Sequence, residues 1–173
     1  MLQGVANTEL EEKMDPKTVG ITISRALRKD IPEILALQKV AFIVEAELHG
    51  NYNIEPLTQT AESVAGDFET HVFLKAVKDG KIIGSVKARE TAEGCWIGKL
   101  MVHPQFRRMG LATMLMSEIE KEFSGTSSYY LYTAGINKGN VSLYQSLGYR
   151  RGNCHTDESG VVLVRLDKEN RRF

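Results

Sequence analysis

The chain has 173 residues, 42% hydrophobic and 25% charged, which suits one globular domain built around a single core. Lys+Arg and Asp+Glu both number 22, so the formal net charge is zero and there is no bulk basic field for holding nucleic acid. No apolar run reaches the roughly 20 residues of a membrane span, and the polar N-terminus MLQGVANTELEEKMDPK lacks the apolar stretch of a secretory signal. Cys95 and Cys154 show neither metal-ligand nor disulfide spacing, so free structural thiols in a reduced, cytoplasmic setting are expected, with no metal.

Residues 1–20 read as a poorly ordered tail or an added arm, and 21–168 as the folded domain. ITISRAL (21–27) alternates like a strand. Asp30 and Glu33, with Pro32 between them, resemble a capping box, and Ile34, Leu37, Ala41, Val44 and Leu48 follow at helical spacing. A weaker helix over 58–68 is capped by Thr58 or Thr60. HVFLKAVKDGKIIGSVKARE holds two β-rich runs joined by Asp79-Gly80, a strong hairpin signal. CWIGKLMV (95–102) is a third strand. Ala112, Leu115, Met116, Ile119 and Phe123 place one buried stripe on a helix over 107–123. YYLYTA (129–134) is a strand, 139–147 a short helix ending at Gly148, and VVLVRL (161–166) the last strand. The order β-α-α-β-β-β-α-β-α-β predicts an α/β (α+β) sandwich and excludes a regular doubly wound fold, because three strands run consecutively.

The stretch RRMGLA (107–112) carries the chemistry. A strand and short loop deliver Gly110 and the small Ala112 to a helix start beside Arg107 and Arg108. The unpaired N–H groups of a first helical turn, with the positive end of the dipole, attract an anion, and phosphate is the expected one. The loop lacks both the GKS/GKT ending of a P-loop and the three glycines of a dinucleotide fingerprint, so ATP and NAD fit poorly.

Arg107-x-x-Gly110-x-Ala112, preceded by Leu100-Met101-Val102-His103-Pro104, resembles motif A of the GNAT superfamily of acetyl-CoA-dependent N-acetyltransferases. NKGNVSLYQSLGY (137–149) is similar to that family's motif B. The resemblance runs from about residue 21 to 168. It implies a GNAT fold, with a central mixed, mostly antiparallel, twisted sheet flanked by helices on both sides. It also implies acetyl-CoA as co-substrate and an unidentified amine acceptor, with no nucleic acid and no membrane; a homodimer stays open. Backbone groups of Leu100, Met101 and Val102 would pair with the pantetheine arm where the central strands splay. N–H groups of Arg107, Arg108, Met109, Gly110, Leu111, Ala112 and Thr113 would hold the pyrophosphate. Asn137 would contact the arm or the turn before the last helix, and Asn140 would cap that helix or reach CoA. Tyr144 would aim its hydroxyl at the CoA sulfur. The chain departs from the usual pattern at Ala112, where glycine is common, and at Asn140, where alanine is.

Acetyl transfer to an amine requires a neutral nucleophile, a polarised thioester carbonyl and a proton for the leaving thiolate. A lysine-type amine, with pKa near 10.4, needs a base or a desolvated site. A backbone N–H near Val102 would stabilise the oxyanion, and Tyr144 would supply the thiolate proton. The strand before motif A offers Trp96, Gly98 and Lys99 rather than a carboxylate. In the family the end of the first long helix walls the acceptor site, so the resemblance implies Glu47 as the catalytic base, with Glu45, His49, Glu90, Glu93 or a water chain as open alternatives. Tyr52, Glu47 and Glu55 lie in the expected acceptor loop. The function implied is transfer of acetyl to a primary amine of a small molecule or protein in a ternary complex. The alternatives are an acyl-CoA-binding sensing module and a plain partner-binding domain.

Overall fold

The computed structural model describes residues 18–171, so the expected N-terminal tail lies outside the described residues except for Thr18 to Gly20, which turn into the first strand. In chain order come β1 (Thr22–Arg25), α1 (Ile31–His49), α2 (Glu55–Thr58), α3 (Ala61–Thr70), β2 (Val72–Lys78), β3 (Lys81–Thr91) and β4 (Gly94–Val102). Then follow α4 (Leu111–Glu122), β5 (Ser128–Ala134), α5 (Lys138–Ser146), β6 (Arg150–Thr156) and β7 (Val162–Glu169). The strands form one sheet in the order β1-β2-β3-β4-β5-β7-β6, antiparallel except for the β4–β5 pair.

Helices cover both faces. On one, Leu111, Leu115, Met116 and Ile119 of α4 pack with Tyr144 of α5 over Val86, Ile97 and Leu131. On the other, Ile31, Ile34 and Leu37 of α1 and Val64 of α3 pack over Phe73, Ile82 and Met101. Each such fully buried aliphatic side chain is worth about 1.5–3 kcal/mol relative to exposure, so these two stripes fix the helices to the sheet.

Several local expectations are corrected. Asp30 and Glu33 do not form a capping box. The Asp30 carboxylate accepts from the Leu27 N–H (2.8 Å) and Lys75 Nζ (2.7 Å), and Glu33 accepts from the Ile82 N–H (2.7 Å). Both carboxylates are spent tying the start of α1 to neighbouring elements. The second predicted helix is split: α2 ends at Thr58, and Thr60 caps α3 by accepting from the Ser63 N–H (3.2 Å). The hairpin is as expected, with Asp79 at φ 50 and Gly80 at φ 75, the left-handed pair a type I′ turn requires. β6 was not anticipated; all seven of its residues are exposed, and its ladder to β7 alone makes it a strand. α4 begins at Leu111 rather than at residue 107, so Leu111 opens the buried stripe and Ala112 is released from it.

The position of β4 matters most for function. It pairs with β5 only at Cys95↔Tyr129 and Trp96↔Tyr130. That end is clamped: the Arg165 guanidinium stacks 4.3 Å from the Tyr130 ring centre and bonds Glu93 at 2.6 Å. Beyond Trp96 the two strands have no ladder. Lys99, at φ 49, adds one residue to β4 between the pairs Lys87↔Gly98 and Ser85↔Met101, a bulge that bends β4 further from a flat sheet. The sheet is closed at one end of this pair and open at the other.

Candidate active site

The open end leads into a cavity of about 810 Å³. Leu100, Met101 and Val102 form one wall, bonded through β3 on their far edge, where Ser85 faces Met101 and Gly84 faces Val102. Their other edge has no strand partner, so its N–H and C=O groups suit an extended ligand that adds like a strand.

The floor is the start of α4. Gly110 is its N-cap residue at φ 79 and ψ 3, a conformation that side chains disfavour, and a Cβ built there meets nothing within 4 Å. The first helical bond runs from the Met114 N–H to the Gly110 carbonyl, and no side chain caps this end. The N–H groups of Leu111, Ala112 and Thr113 therefore point out of the helix with the dipole behind them, which makes an anion cradle. Of the residues expected to hold the pyrophosphate, Arg107, Arg108, Gly110, Leu111, Ala112 and Thr113 line the cavity; Met109, between two left-handed residues, does not. Arg107 donates Nη2 to the Ala41 carbonyl at 2.9 Å, holding the loop against α1.

The third wall is α5. Asn137 caps it, its Oδ1 accepting from the Asn140 N–H at 3.1 Å, so the cap is Asn137 and Asn140 is left to face the cavity. Tyr144 lines the cavity with only 7% exposure, its ring edge-on to Tyr149 at 6.0 Å. Burial, and then the nearby Glu45 charge, push the Tyr144 phenol well above its ordinary value. At ordinary values a phenol protonates a thiolate uphill by about 2 kcal/mol, and the shift enlarges that gap. Tyr144 is thus neutral throughout the physiological range.

α1 supplies the fourth wall. Its turn toward the cavity takes Val44 and Leu48 out of the expected core stripe, and both are exposed at the opening, beside Phe42 and Glu45. Glu47 is exposed and does not line the cavity. The reason is helical geometry: residues two apart project roughly 200° apart, so when Ala41, Glu45 and Leu48 face the cavity, Glu47 faces away. Burial raises the Glu45 carboxyl above its ordinary value, with His49 opposing. His49, one turn on, has a buried Nε2 with no hydrogen-bond partner.

The remaining candidates lie elsewhere. Glu93 is held by Arg165 at the closed end, and Glu90 is exposed on β3 opposite Cys95. Glu55 pairs with Lys99, whose Nζ also donates to Gln59 at 3.0 Å. His103 caps the turn after β4, accepting from the Gln105 N–H at 3.3 Å. Cys95 is buried, and burial and then the Glu90 and Glu120 charges push its thiol up to about 12, leaving it inert. Sequence reasoning missed a polar network on the α3 face, where Lys87 bonds Asp67 at 2.7 Å and Asp67 accepts from Gln59 at 2.9 Å. Nothing in the spacing of those residues signals it. A second cavity, about 530 Å³, opens between α4 and β7, where Glu120 is already held by Lys168 and Tyr149.

The profile of the Acetyltransferase (GNAT) family matches residues 32–149, which span α1 through the end of motif B. The chain belongs to the GNAT acetyltransferase family. It is 28% identical over 131 residues to UPF0157 protein YqkA of Bacillus subtilis, a match covering 76% of this chain and 38% of that protein. It is 32% identical over 87 residues to acetyltransferase ECA0875 of Pectobacterium atrosepticum, covering 49% of this chain and 62% of that one. The matches thus span 38% and 62% of the length of these two relatives. Among solved structures, the PaiA N-acetyltransferase of Thermoplasma acidophilum, in complex with coenzyme A, superposes with a TM-score of 0.72. It shares 19% identity, covering 86% of this chain and 98% of that one, and shows that the GNAT fold is shared. Among the described residues no helix is long and apolar enough to cross a membrane, and no His/Cys/Asp/Glu group is arranged for a metal ion.

Proposed function

We propose that this GNAT chain moves an acetyl group from acetyl-CoA to a primary amine of a small molecule or protein, by direct transfer within a ternary complex. The observation that carries the reading is the meeting of three features in one cavity: the unpartnered β4 edge, the Gly110 helix start and the Tyr144 hydroxyl. The β4 edge matches the alternating amides of a pantetheine arm. Arg107, Arg108 and the N–H groups of Leu111 to Thr113 match a pyrophosphate. Tyr144 stands beside the sulfur end and protonates it as the C–S bond breaks, while a backbone N–H near Val102 steadies the oxyanion. The amine enters from the side walled by α1.

The test is direct. Acetyl-CoA raises the melting temperature, and thiol release over a panel of primary amines reports turnover. A melt unmoved by millimolar acetyl-CoA yet moved by ATP or NAD overturns the reading. Binding without turnover on any acceptor, water included, replaces the enzyme with an acyl-CoA sensor.

A further inference from the structure

The geometry points to Glu45 as the group that takes the proton from the acceptor nitrogen and returns it to Tyr144, an assignment that rests on the acetyl-transfer reading above. Among the described residues that line the cavity, Glu45 is the one carboxylate. Of the other acidic candidates, Glu47 and Glu90 are exposed outside the cavity, while Glu55 pairs with Lys99 and Glu93 with Arg165. Glu45 is half-buried beside Phe42, Val44 and Leu48, a mostly apolar surrounding that favours a proton-seeking carboxylate. His49 on α1 and Tyr144 on α5 interact with it electrostatically, and the other charged groups lining the cavity are Lys138 on α5 and Arg107 and Arg108 from the loop before α4.

Glu45 and Tyr144 are electrostatically coupled, and the coupling has a direction. While Glu45 is ionised, its charge opposes phenolate formation at Tyr144. Once Glu45 has accepted the amine proton it is neutral, and that opposition disappears when Tyr144 must act as an acid. The step balances. The acceptor nitrogen forms a bond to the acetyl carbon and loses one proton to the Glu45 carboxylate. The C–S bond breaks, and the sulfur takes the electron pair and the Tyr144 hydroxyl proton. The proton on Glu45 then passes to the Tyr144 phenolate, directly or through one water. The products are amide and CoA thiol, and both side chains regain their starting states. α1 thereby supplies the base that β4 lacks.

The test uses Glu45→Gln and Glu45→Asp in the full chain, with folding checked by melting temperature. Two acceptors serve as probes: a simple alkylamine, and water, whose acetylation is the slow hydrolysis of acetyl-CoA and requires no identified substrate. Glu45→Gln is expected to lower kcat for both by about 10²–10⁴-fold, the span of general acid–base catalysis, with acetyl-CoA affinity within about twofold. Glu45→Asp recovers part of the loss. The hydrolysis rate of the wild type falls as pH drops through the Glu45 pKa, because a protonated carboxyl accepts nothing, and Glu45→Gln removes that acid limb. If the wild type turns over and folded Glu45→Gln stays within about threefold of it, the assignment is overturned while the transferase reading stands. A loss that follows Glu47→Gln instead overturns it equally. A wild type that binds acetyl-CoA but acetylates neither probe overturns the transferase reading and this assignment with it.

Discussion

Gly110→Glu isolates the anion cradle from the rest of the fold. At φ 79 any side chain meets left-handed strain, but its Cβ meets no atom within 4 Å. Left-handed backbone costs an L residue about 1–2 kcal/mol, and about 0.5–1 kcal/mol returns through the less flexible unfolded chain. Gly110→Ala carries the same strain, so it measures that term alone. The glutamate adds a charge facing the expected pyrophosphate. At an effective dielectric of about 20, two unit charges roughly 5 Å apart repel by about 3 kcal/mol. Salt at the exposed loop reduces this to about 2–3 kcal/mol, or roughly 30–150-fold in affinity. Acetyl-CoA at 100 times Kd stabilises the wild type by about 2.7 kcal/mol, whereas a 100-fold weaker site gains only about 0.4 kcal/mol at the same concentration. For a chain of this size those figures correspond to melting shifts of roughly 5–11 °C and about 1 °C. Differential scanning fluorimetry of the three proteins, with and without acetyl-CoA, reads both terms. The reasoning fails if folded Gly110→Glu keeps the full wild-type shift, or if Gly110→Ala loses the shift as completely as the glutamate.

Tyr144→Phe keeps the ring packed against Tyr149 and removes the proton donor, so kcat should fall by about 10²–10⁴-fold with acetyl-CoA affinity nearly unchanged; turnover within about twofold, with chemistry rate-limiting, makes Tyr144 a packing residue. Asn137→Ala removes the α5 cap, at about 1 kcal/mol and 2–4 °C of melting temperature, and loosens the loop that lines the cavity, so acetyl-CoA affinity falls as well. Acid should destabilise the fold in two stages, read by urea unfolding from pH 7 to 3. Burial, then Lys87, hold the His71 imidazole below its ordinary value, so its contribution is complete above about pH 6.5 and declines as the unfolded chain takes up protons preferentially. Burial alone would raise Asp30 and Asp67, but the Leu27 N–H and Lys75 at Asp30, and Lys87 and Gln59 at Asp67, outweigh it. Both carboxyls end below their ordinary value, and their contribution is lost as pH falls from about 4 through the lower folded values. Glu45, raised by burial, acts in the opposite sense, so Asp67→Asn should soften the acid loss and Glu45→Gln should sharpen it.

What the sequence carried and what it withheld divide along one physical line. Gly110, Asp79-Gly80 and the α4 stripe were legible because each is a local demand: a backbone angle or a 3.6-residue period is written in adjacent residues. The cavity-lining residues between Leu100 and Thr113 were legible for the same reason, since strand, loop and helix start follow one another and reach one cavity together. β6 was invisible because an exposed edge strand needs no alternation; its order comes from β7, which is remote information. Which acidic residue of α1 lines the cavity was hidden by a finer version of that point. Glu45 and Glu47 are equally acidic and two residues apart, and only the rotation of α1 about its axis separates them. That rotation is set by Ile31, Ile34 and Leu37 seating on Phe73 and Ile82 at the helix's other end, and by the Arg107 guanidinium on the Ala41 carbonyl. Composition names the chemistry available to a helix, and packing at a distance decides which of its residues faces the cavity.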